Sequence, residues 1–404
     1  MKRHYILLLL VAVISLTFIS CKKGEVYKTL IVTGQSEENW KVSSPILKQI
    51  LEETGLFDCK IITTPEAGGD MSSFNPDFSK YKLVVIDYDG DSWTEKTKKN
   101  FVDYVNNGGG VVVYHSSCIS FPDWKEYNEM TGLGGWKDRN EKDGPYVYYS
   151  RDQLVVDTTA GPAGTVSKPI EFTVTDRITD HPVTQGLPVK WMHASDELYG
   201  HLRGPAKNML VLATASASSR NPYYGPAGRE DPVLLAINYG NGRIFNTLLG
   251  YADDEGAPAL HCAGFIVTLQ RGAEWAASGT VTQAVPFDFP SAAAVASRPD
   301  YKSMTVDDVF ANIGNYDITK STKYYVALQS FVRSAAGDDK KLLDLEKKMT
   351  DVLSSDQATI ESKKLILREL SWMGSDYSIP VIKSLEVIPE LKDDVNFALT
   401  RLQQ

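Results

Sequence analysis

The stretch GGGVVVYHSS, residues 108–117, joins a glycine-rich turn, an apolar run and a histidine. It follows a helical pattern over residues 94–110, in which Phe101 and Val105 are apolar positions of one face. A short apolar run that follows an amphipathic helix indicates a buried strand. His115 therefore stands at the carboxyl end of a predicted strand, where open α/β sheets bind their ligands.

The same alternation of apolar runs and amphipathic helices continues on both sides of this stretch. Near-continuous apolar strands that alternate with helices predict an α/β fold with a mostly parallel sheet covered by helices on both faces. Residues 116–170 show little periodicity, and a loop region of that length is usually functional. The other predicted strands are 28–34, 59–64, 82–90, 171–176, 209–215, 233–240 and 242–250, and the other helices are 45–55 and 262–277.

The last hundred residues have a different pattern. Apolar residues recur there at helical spacing in short segments separated by turns, which favours a small α-helical domain of HEAT-like hairpins. A segment rich in proline, alanine and serine precedes it and is typical of a linker. The predicted divisions are 1–21 for a lipoprotein signal peptide with its lipobox, 22–280 for the α/β domain, 281–303 for the linker and 304–404 for the helical domain.

The first 21 residues have the order of a secretory signal. Two cations precede an apolar run, and Phe18-Ile19-Ser20-Cys21 resembles a bacterial lipobox with phenylalanine in place of the usual leucine. We expect a lipid anchor on Cys21, which places the protein in the cell envelope, in the periplasm or at the outer membrane. The alternative is an ordinary cleaved signal.

Charge and cysteine usage narrow the classes of partner. The 404-residue chain has a formal net charge of −9, which argues against nucleic acid and against anionic membrane surfaces. Membrane attachment is therefore expected only through Cys21, and sugars remain a suitable class of small molecule. Cys59, Cys118 and Cys262 have no short pair spacing, so neither a disulfide framework nor a zinc knuckle is predicted.

Six separated stretches, in order along the chain, resemble the ThuA-like family. The resemblance implies a flavodoxin-like, class I glutamine amidotransferase-like fold and a role in trehalose or other disaccharide utilisation. It also implies 3-keto sugars as substrates, made by a partner sugar 3-dehydrogenase. The sequence departs from the family at Tyr251, where members commonly carry histidine; His261 is a candidate substitute. The stretches are 108–117, TGLGGW (131–136), DHPVTQGLP (180–188), 191–215, YGNGRIFNTLLGY (239–251) and GFIVTLQRGAEWAASG (264–279).

The candidate active site follows from this resemblance and from the residues together. A glutaminase needs a cysteine at the turn after the central strand, but that turn carries His115, and Cys118 comes three residues later. The densest titratable cluster is WMHASDELYGH, residues 191–201. We expect His115, His193 and Glu197 to converge, either as general acid and base or as ligands of a divalent metal such as zinc.

Other side chains are candidates for substrate binding. Adjacent carboxylates such as Asp196 and Glu197 point in different directions, so they suit glycoside hydrolysis poorly as a pair. Alternatively, Ser195 and Asp196 begin a helix that buries Leu198 and Tyr199. Aromatic residues in loops can bind sugar faces or pack at a rim. The predicted substrate-binding residues are Gln35, Trp40, Asp87, Trp136, Trp191, Asp196, Tyr199 and Tyr251.

Two functions remain open at this stage. The first is an enzyme that acts on a disaccharide or 3-keto glycoside by isomerisation, elimination or hydrolysis. A ketone at C3 acidifies the C2 proton, so a base of near-neutral pKa could remove it. The second is a non-catalytic carbohydrate-binding or accessory lipoprotein, whose helical domain docks a partner.

Overall fold

The structure is a computed structural model that describes residues 26–36, 38–216, 228–253, 257–302, 304–320 and 322–403. The predicted lipobox and Cys21 lie outside these residues. Within the described ranges, no helix is both long and apolar enough to cross a membrane.

The predicted strands and helices are all present, and the structure adds strands at 146–150, 153–157, 165–166, 190–196 and 199–200 and short helices at 125–131 and 258–261. The strands are β1 (Tyr27–Thr33), β2 (Phe57–Thr63), β3 (Leu83–Ile86), β4 (Gly110–Tyr114), β5 (Tyr146–Ser150), β6 (Gln153–Asp157), β7 (Thr165–Val166), β8 (Ile170–Asp176), β9 (Lys190–Asp196), β10 (Tyr199–Gly200), β11 (Met209–Ala215), β12 (Arg229–Tyr239) and β13 (Gly242–Thr247). The helices are α1 (Trp40–Glu52), α2 (Glu95–Asn106), α3 (Lys125–Thr131), α4 (Pro258–His261), α5 (Ala263–Ser278), α6 (Val306–Ile313), α7 (Lys323–Ser334), α8 (Asp339–Ser354), α9 (Ile360–Met373), α10 (Ile379–Ser384) and α11 (Lys392–Leu402).

The central sheet is mixed, with a parallel half that carries the predicted strand end. Its order is β2-β1-β3-β4-β13-β12-β11-β8-β9. The pairs from β2 to β13 are parallel, whereas those from β13 to β9 are antiparallel. Parallel strands place their carboxyl ends at the same edge of a sheet, so the segments after β1, β3, β4 and β13 meet there.

Helices cover the sheet on both faces, as its near-continuous apolar strands require. Along β4, Val112 and Tyr114 pack into the cluster that contains residues of α1 and α5. Val111 and Val113 pack into the cluster on the opposite face, with residues of α2 and α3. The predicted fold class is therefore confirmed.

Two local predictions differ from the structure. Helix α1 begins at Trp40 rather than at 45, with Pro45 inside the helix. Residues 116–170 are not one loop: they contain α3 and the β5–β6 hairpin, whose strands are partly exposed and lack a regular apolar alternation. That absence of alternation removed the periodic signal from the sequence.

The C-terminal helices surround a core of their own, formed by apolar residues such as Leu328, Met349 and Leu367. The segment 281–302, predicted as part of a linker, packs along the α/β domain. The Phe289 ring lies 5.3 Å from that of Trp191, and Phe287 contacts Phe331 of α7 with ring centroids 4.8 Å apart. This segment therefore connects the two cores through side-chain packing.

Candidate functional site

The turn after β4 places His115 in an unusual backbone conformation. Its φ is 45°, in the left-handed region that L-residues other than glycine seldom adopt, and a short 3₁₀ turn follows over His115–Ile119. The His115 side chain is fully buried at the carboxyl edge of the sheet. Such strain persists only where surrounding contacts hold it, and it is common at functional sites.

A carboxylate from the segment after β1 holds the His115 ring. Nδ1 of His115 donates to Oε1 of Glu38 at 2.6 Å, and the Tyr199 hydroxyl donates to the same oxygen at 3.0 Å. The Tyr199 ring packs edge-on to the imidazole at 4.6 Å. Burial disfavours the imidazolium, but the Glu38 charge and its hydrogen bond outweigh that effect and raise the pKa of His115 to about 9. His115 is therefore an imidazolium at neutral pH.

Asp196 lies on the other side of the His115 ring. Its Oδ1 is 3.9 Å from Nε2 of His115, and both side chains are fully buried. The Asp196 carboxylate accepts hydrogen bonds from the backbone amides of Gly250 at 2.8 Å and Tyr251 at 2.9 Å, just after β13. Although β12, β11 and β8 separate β9 from β13 in the sheet, the ends of these two strands therefore meet.

A β-bulge in β9 sets the side-chain directions of His193 and Asp196, two residues of the predicted titratable cluster. The register passes from Phe172 opposite His193 to Ile170 opposite Asp196, so β9 has one extra residue between those pairs. His193 and Asp196 consequently contact each other, with Nε2 of His193 donating to Oδ2 of Asp196 at 2.6 Å. The sequence left open whether this segment begins a helix or forms one face of a helix. It is a strand, so both interpretations are corrected.

His193 lies behind Asp196 rather than in a cavity. Its ring is fully buried and packs against Phe172 at 5.2 Å and Trp191 at 6.0 Å. Burial disfavours its charged form, but the Cys262 sulfur and the Asp196 carboxylate raise the pKa of His193 to about 10. The expectation that His193 converges with His115 and Glu197 on substrate is therefore corrected: His193 positions Asp196.

Glu197 lines a cavity of about 480 Å³ at this edge, called the Glu197 cavity below. The half-buried Glu197 carboxyl has its pKa raised to about 7, chiefly by burial and secondarily by Glu38, while the His115 charge acts in the opposite direction. The rings of Trp136 and Tyr199 meet edge to face at 5.1 Å in its wall. The cavity is lined by Glu38, Ser116, Ile119, Trp136, Lys137, Val166, Glu197, Tyr199 and Tyr251.

A second cavity of about 730 Å³, the Trp40 cavity, lies at the ends of β1 and β3. The predicted residues Gln35 and Trp40 line it. Gln35 also braces its wall, because Nε2 donates to the Pro65 carbonyl at 2.8 Å and Oε1 accepts from the Asp91 amide at 2.8 Å. The lining residues are Gly34, Gln35, Ser36, Trp40, Lys41, Thr63, Thr64, Glu66, Ala67, Asp89, Gly90, Asp91 and Lys137.

Three predicted substrate-binding residues, Trp191, Asp87 and Asp196, lie in the protein interior. Trp191 is fully buried in the core, where its Nε1 donates to Asp176 at 3.2 Å. Asp87 is buried and accepts hydrogen bonds from Ser43 at 2.7 Å and Ser44 at 2.6 Å; burial raises the pKa of Asp87 to about 7 against the effect of those bonds. None of these three residues lines either cavity, which corrects their predicted contact with substrate.

The expected metal set is not assembled. Among the described residues, no three His, Cys, Asp or Glu side chains are grouped so that they could hold a metal ion. Nε2 of His193 is occupied by Asp196, and the His193 ring is closed off from Glu197 by burial. The geometry therefore corrects the prediction that His115, His193 and Glu197 share a metal ion.

Cys118 is not suited to nucleophilic catalysis. Burial raises the pKa of its thiol to about 12, which disfavours a thiolate nucleophile.

Two important residues were missed in the sequence. Glu38 follows the β1 strand end by a few positions, and an acidic residue at that place was an available signal. Lys137 directly follows Trp136 and contacts the Asp89 carboxylate as an ion pair. Trp136, Lys137 and Asp138 all have positive φ values, of 53°, 47° and 61°, a conformation that no local pattern predicts.

Comparison with known proteins agrees with the α/β fold and with the residues that form this domain. A family model, ThuA, described as trehalose utilisation, matches residues 28–276. A ThuA-like protein from Parabacteroides merdae has a solved structure with 49% identity and a TM-score of 0.67, covering 69% of this chain and 100% of that one. No protein of curated function matches.

More distant structures are also similar. A ThuA-like protein from Bacteroides uniformis has 18% identity and a TM-score of 0.41, covering 64% of this chain and 94% of its own. A cytoplasmic protein from Salmonella typhimurium has 13% identity and a TM-score of 0.38, covering 62% and 98%. The family model spans well over half of the residues, and the 49% identity extends over the whole of the Parabacteroides structure. The chain therefore belongs to the ThuA family of trehalose utilisation.

Proposed function

We propose that the Glu197 cavity binds a sugar ring of a disaccharide or 3-keto glycoside and cleaves the glycoside by acid–base chemistry. The observation that carries this proposal is the presence of two carboxyl groups, Glu38 and Glu197, in one aromatic-walled cavity with different surroundings. Pairs of titratable groups in contrasting environments are the usual arrangement of a general acid and a general base.

The surroundings assign one role to each carboxyl group. Glu38 is held through Oε1 by His115 and Tyr199, while its Oε2 is buried in the cavity wall and has no hydrogen-bond partner among the described residues. That oxygen suits a base. Glu197, with its pKa raised to about 7, is partly protonated at neutral pH and suits an acid. His115 acts as a positioning residue, because it is buried beneath Glu38 and outside the cavity lining.

The chemistry of a 3-keto glycoside matches this pair. Oε2 of Glu38 removes the C2 proton, which the neighbouring ketone acidifies. The electron pair left at C2 forms the C1=C2 bond as the C1–O bond breaks, and Glu197 gives its proton to the departing oxygen. The products are an unsaturated 3-keto sugar and a free sugar; later addition of water to the former gives net hydrolysis. A partner sugar 3-dehydrogenase would supply the ketone.

The test is turnover of 3-keto disaccharides by a soluble chain that begins at residue 22, with products followed by NMR. We expect a released sugar from the unaltered chain, and at least a hundredfold loss in kcat for Glu38→Gln and for Glu197→Gln. Glu171→Gln, an exposed carboxyl in β8, is the matched control and should retain full activity. Saturable sugar binding without product at any protein concentration would instead support the non-catalytic carbohydrate-binding function.

We also propose that Cys21 carries a lipid anchor in the cell envelope. The support is the order of charged, apolar and small residues over 1–21. Cys21→Ser should move the protein from the membrane fraction to the soluble fraction and abolish labelling by a fatty-acid analogue. An unchanged distribution would contradict the anchor.

A further inference from the structure

We infer that the Trp40 cavity is a second sugar subsite, which binds the leaving sugar of a disaccharide whose reacting ring occupies the Glu197 cavity. The assignment of the reacting ring rests on the function proposed above. The subsite itself rests on the position and chemistry of the second cavity.

The two cavities adjoin each other. Lys137 lines both, so a single side chain forms part of each wall. Ser36 lines the Trp40 cavity and Ser116 lines the Glu197 cavity, and their hydroxyl oxygens are 3.3 Å apart. A ridge of these three side chains therefore separates the cavities. Each volume lies within the range of about 300–1,000 Å³ that is usual for small-molecule sites.

The lining of the Trp40 cavity suits a neutral polyhydroxylated ligand. Trp40 contributes an aromatic ring, and Lys41 contributes an ammonium group 5.6 Å from the centroid of that ring. Glu66, Asp89 and Asp91 contribute carboxylates, which accept hydrogen bonds from sugar hydroxyls. One aromatic platform with many polar groups is suited to a sugar ring.

Charge argues against a phosphorylated ligand in the same place. Three carboxyl side chains line the cavity, against the two ammonium groups of Lys41 and Lys137. Lys137 is moreover already paired with Asp89. An anionic ligand would therefore meet a net negative wall, whereas a neutral sugar would not.

Asp89 provides the most specific pointer to a ligand. Its side chain is 1% exposed, and Oδ1 is bound by Lys137. Its Oδ2 has no hydrogen-bond partner within the described part of the chain. A buried carboxylate oxygen without a donor is unfavourable, because its desolvation is not compensated. A hydroxyl of a bound sugar would supply the missing donor.

The test compares two substrates that differ in the leaving group. 3-Ketotrehalose would fill both cavities, whereas methyl 3-keto-glucoside has a one-carbon leaving group and would fill only the Glu197 cavity. For Trp40→Ala we expect kcat/KM to fall about tenfold for the disaccharide through a rise in KM. The value for the methyl glycoside should stay within about twofold. Trp40→Phe should recover most of the loss, and Trp372→Ala, which alters an exposed tryptophan of the helical domain, should change neither substrate.

Equal losses on both substrates, or no loss on the disaccharide, would overturn the second subsite while leaving the proposed reaction in place. If the unaltered chain converts neither substrate, the proposed reaction fails, and the subsite is tested by calorimetric titration with trehalose. A Kd that rises about tenfold in Trp40→Ala then supports the subsite. No trehalose binding by the unaltered chain, or equal affinity for both proteins, overturns it.

Discussion

Nδ1 of His115 lies 2.6 Å from Oε1 of Glu38, although the two residues are 77 positions apart in the chain. The contact joins the ends of β1 and β4 and fixes a carboxylate in the wall of a cavity. Asp196 approaches the other ring nitrogen at 3.9 Å, so an imidazolium lies between two carboxylates. This arrangement explains how a fully buried histidine can hold its charge: nearby opposite charge outweighs desolvation.

The leaving group should decide how much Glu197 matters. Glu197→Gln removes the proton donor, so release of a sugar alkoxide should fall at least a hundredfold. Release of p-nitrophenolate from a p-nitrophenyl 3-keto-glucoside needs no protonation and should fall less than tenfold. Glu38→Gln should slow both substrates equally, because the C2 proton must leave in each case. Equal losses for Glu197→Gln on both substrates would contradict its role as the acid.

The pH dependence of kcat/KM should report the Glu197 carboxyl. An acid must be protonated, and the pKa of Glu197 is raised to about 7, so activity should fall as the pH rises through about 7. The measurement is kcat/KM for the disaccharide from pH 5 to 9. With the p-nitrophenyl substrate, this loss at high pH should disappear. A rate that rises through pH 7 on both substrates would make Glu197 the base instead.

Stability should also depend on pH through His115. Its folded-state pKa of about 9 lies above the ordinary value of 6.5, so the folded protein keeps a proton that the unfolded chain releases. The stabilisation is complete below about pH 6.5 and is lost as the pH rises through about 9. One such proton corresponds to about 1.4 kcal/mol per pH unit. Urea unfolding at pH 7, 8 and 9 should show a smaller decline for His115→Gln than for the unaltered chain; equal slopes would contradict the buried imidazolium.

Replacement by alanine should lower the free energy of unfolding much more at Trp191 than at Trp372. Trp191 is fully buried, so Trp191→Ala should lower the free energy of unfolding by about 3–5 kcal/mol. Trp372 is 69% exposed, with the Arg401 guanidinium 3.6 Å from its ring centroid, so Trp372→Ala should cost less than about 1 kcal/mol. Denaturant unfolding measures both. A small effect at Trp191 together with lost sugar affinity would restore it as a binding residue.

Asp196 should control the backbone after β13. Asp196→Asn replaces one acceptor oxygen with an NH₂ group that faces a backbone N–H, which should cost about 1–3 kcal/mol. Hydrogen exchange at the amides of Gly250 and Tyr251 should accelerate more than exchange at the amides within β13. Uniform acceleration across the domain would indicate a general loss of stability instead.

The sequence alone predicted the strands of the central sheet other than β9, and the helices α1, α2 and α5 that cover it, because hydrophobic period is a local property. The run Val111–Tyr114 predicted a buried strand, and the alternation around it predicted the order of strands and helices. The position of His115 at a strand end followed directly. The helical character of the last hundred residues followed from their apolar spacing in the same way.

Contacts between distant segments were not available from local patterns. The sequence placed His193 and Glu197 in one cluster, but the bulge in β9 turned His193 onto Asp196 and into the core. Trp191 was predicted as an aromatic residue that binds substrate, but it is buried in the core and packs against Phe289. The contact of Glu38 with His115 forms only when β1 and β4 join the same sheet, with β3 between them.

What the sequence by itself determined is therefore the α/β framework, the edge of the sheet that carries the site and the presence of His115 at that edge. The tertiary structure alone decided that Glu38 and Glu197 share a cavity, that His193 does not reach it and that Lys137 lies beside a second cavity. The physical reason is that strand period is set by neighbours in the chain. Side-chain direction at a site, in contrast, depends on a one-residue bulge, on backbone strain and on charges that meet only when the sheet has formed.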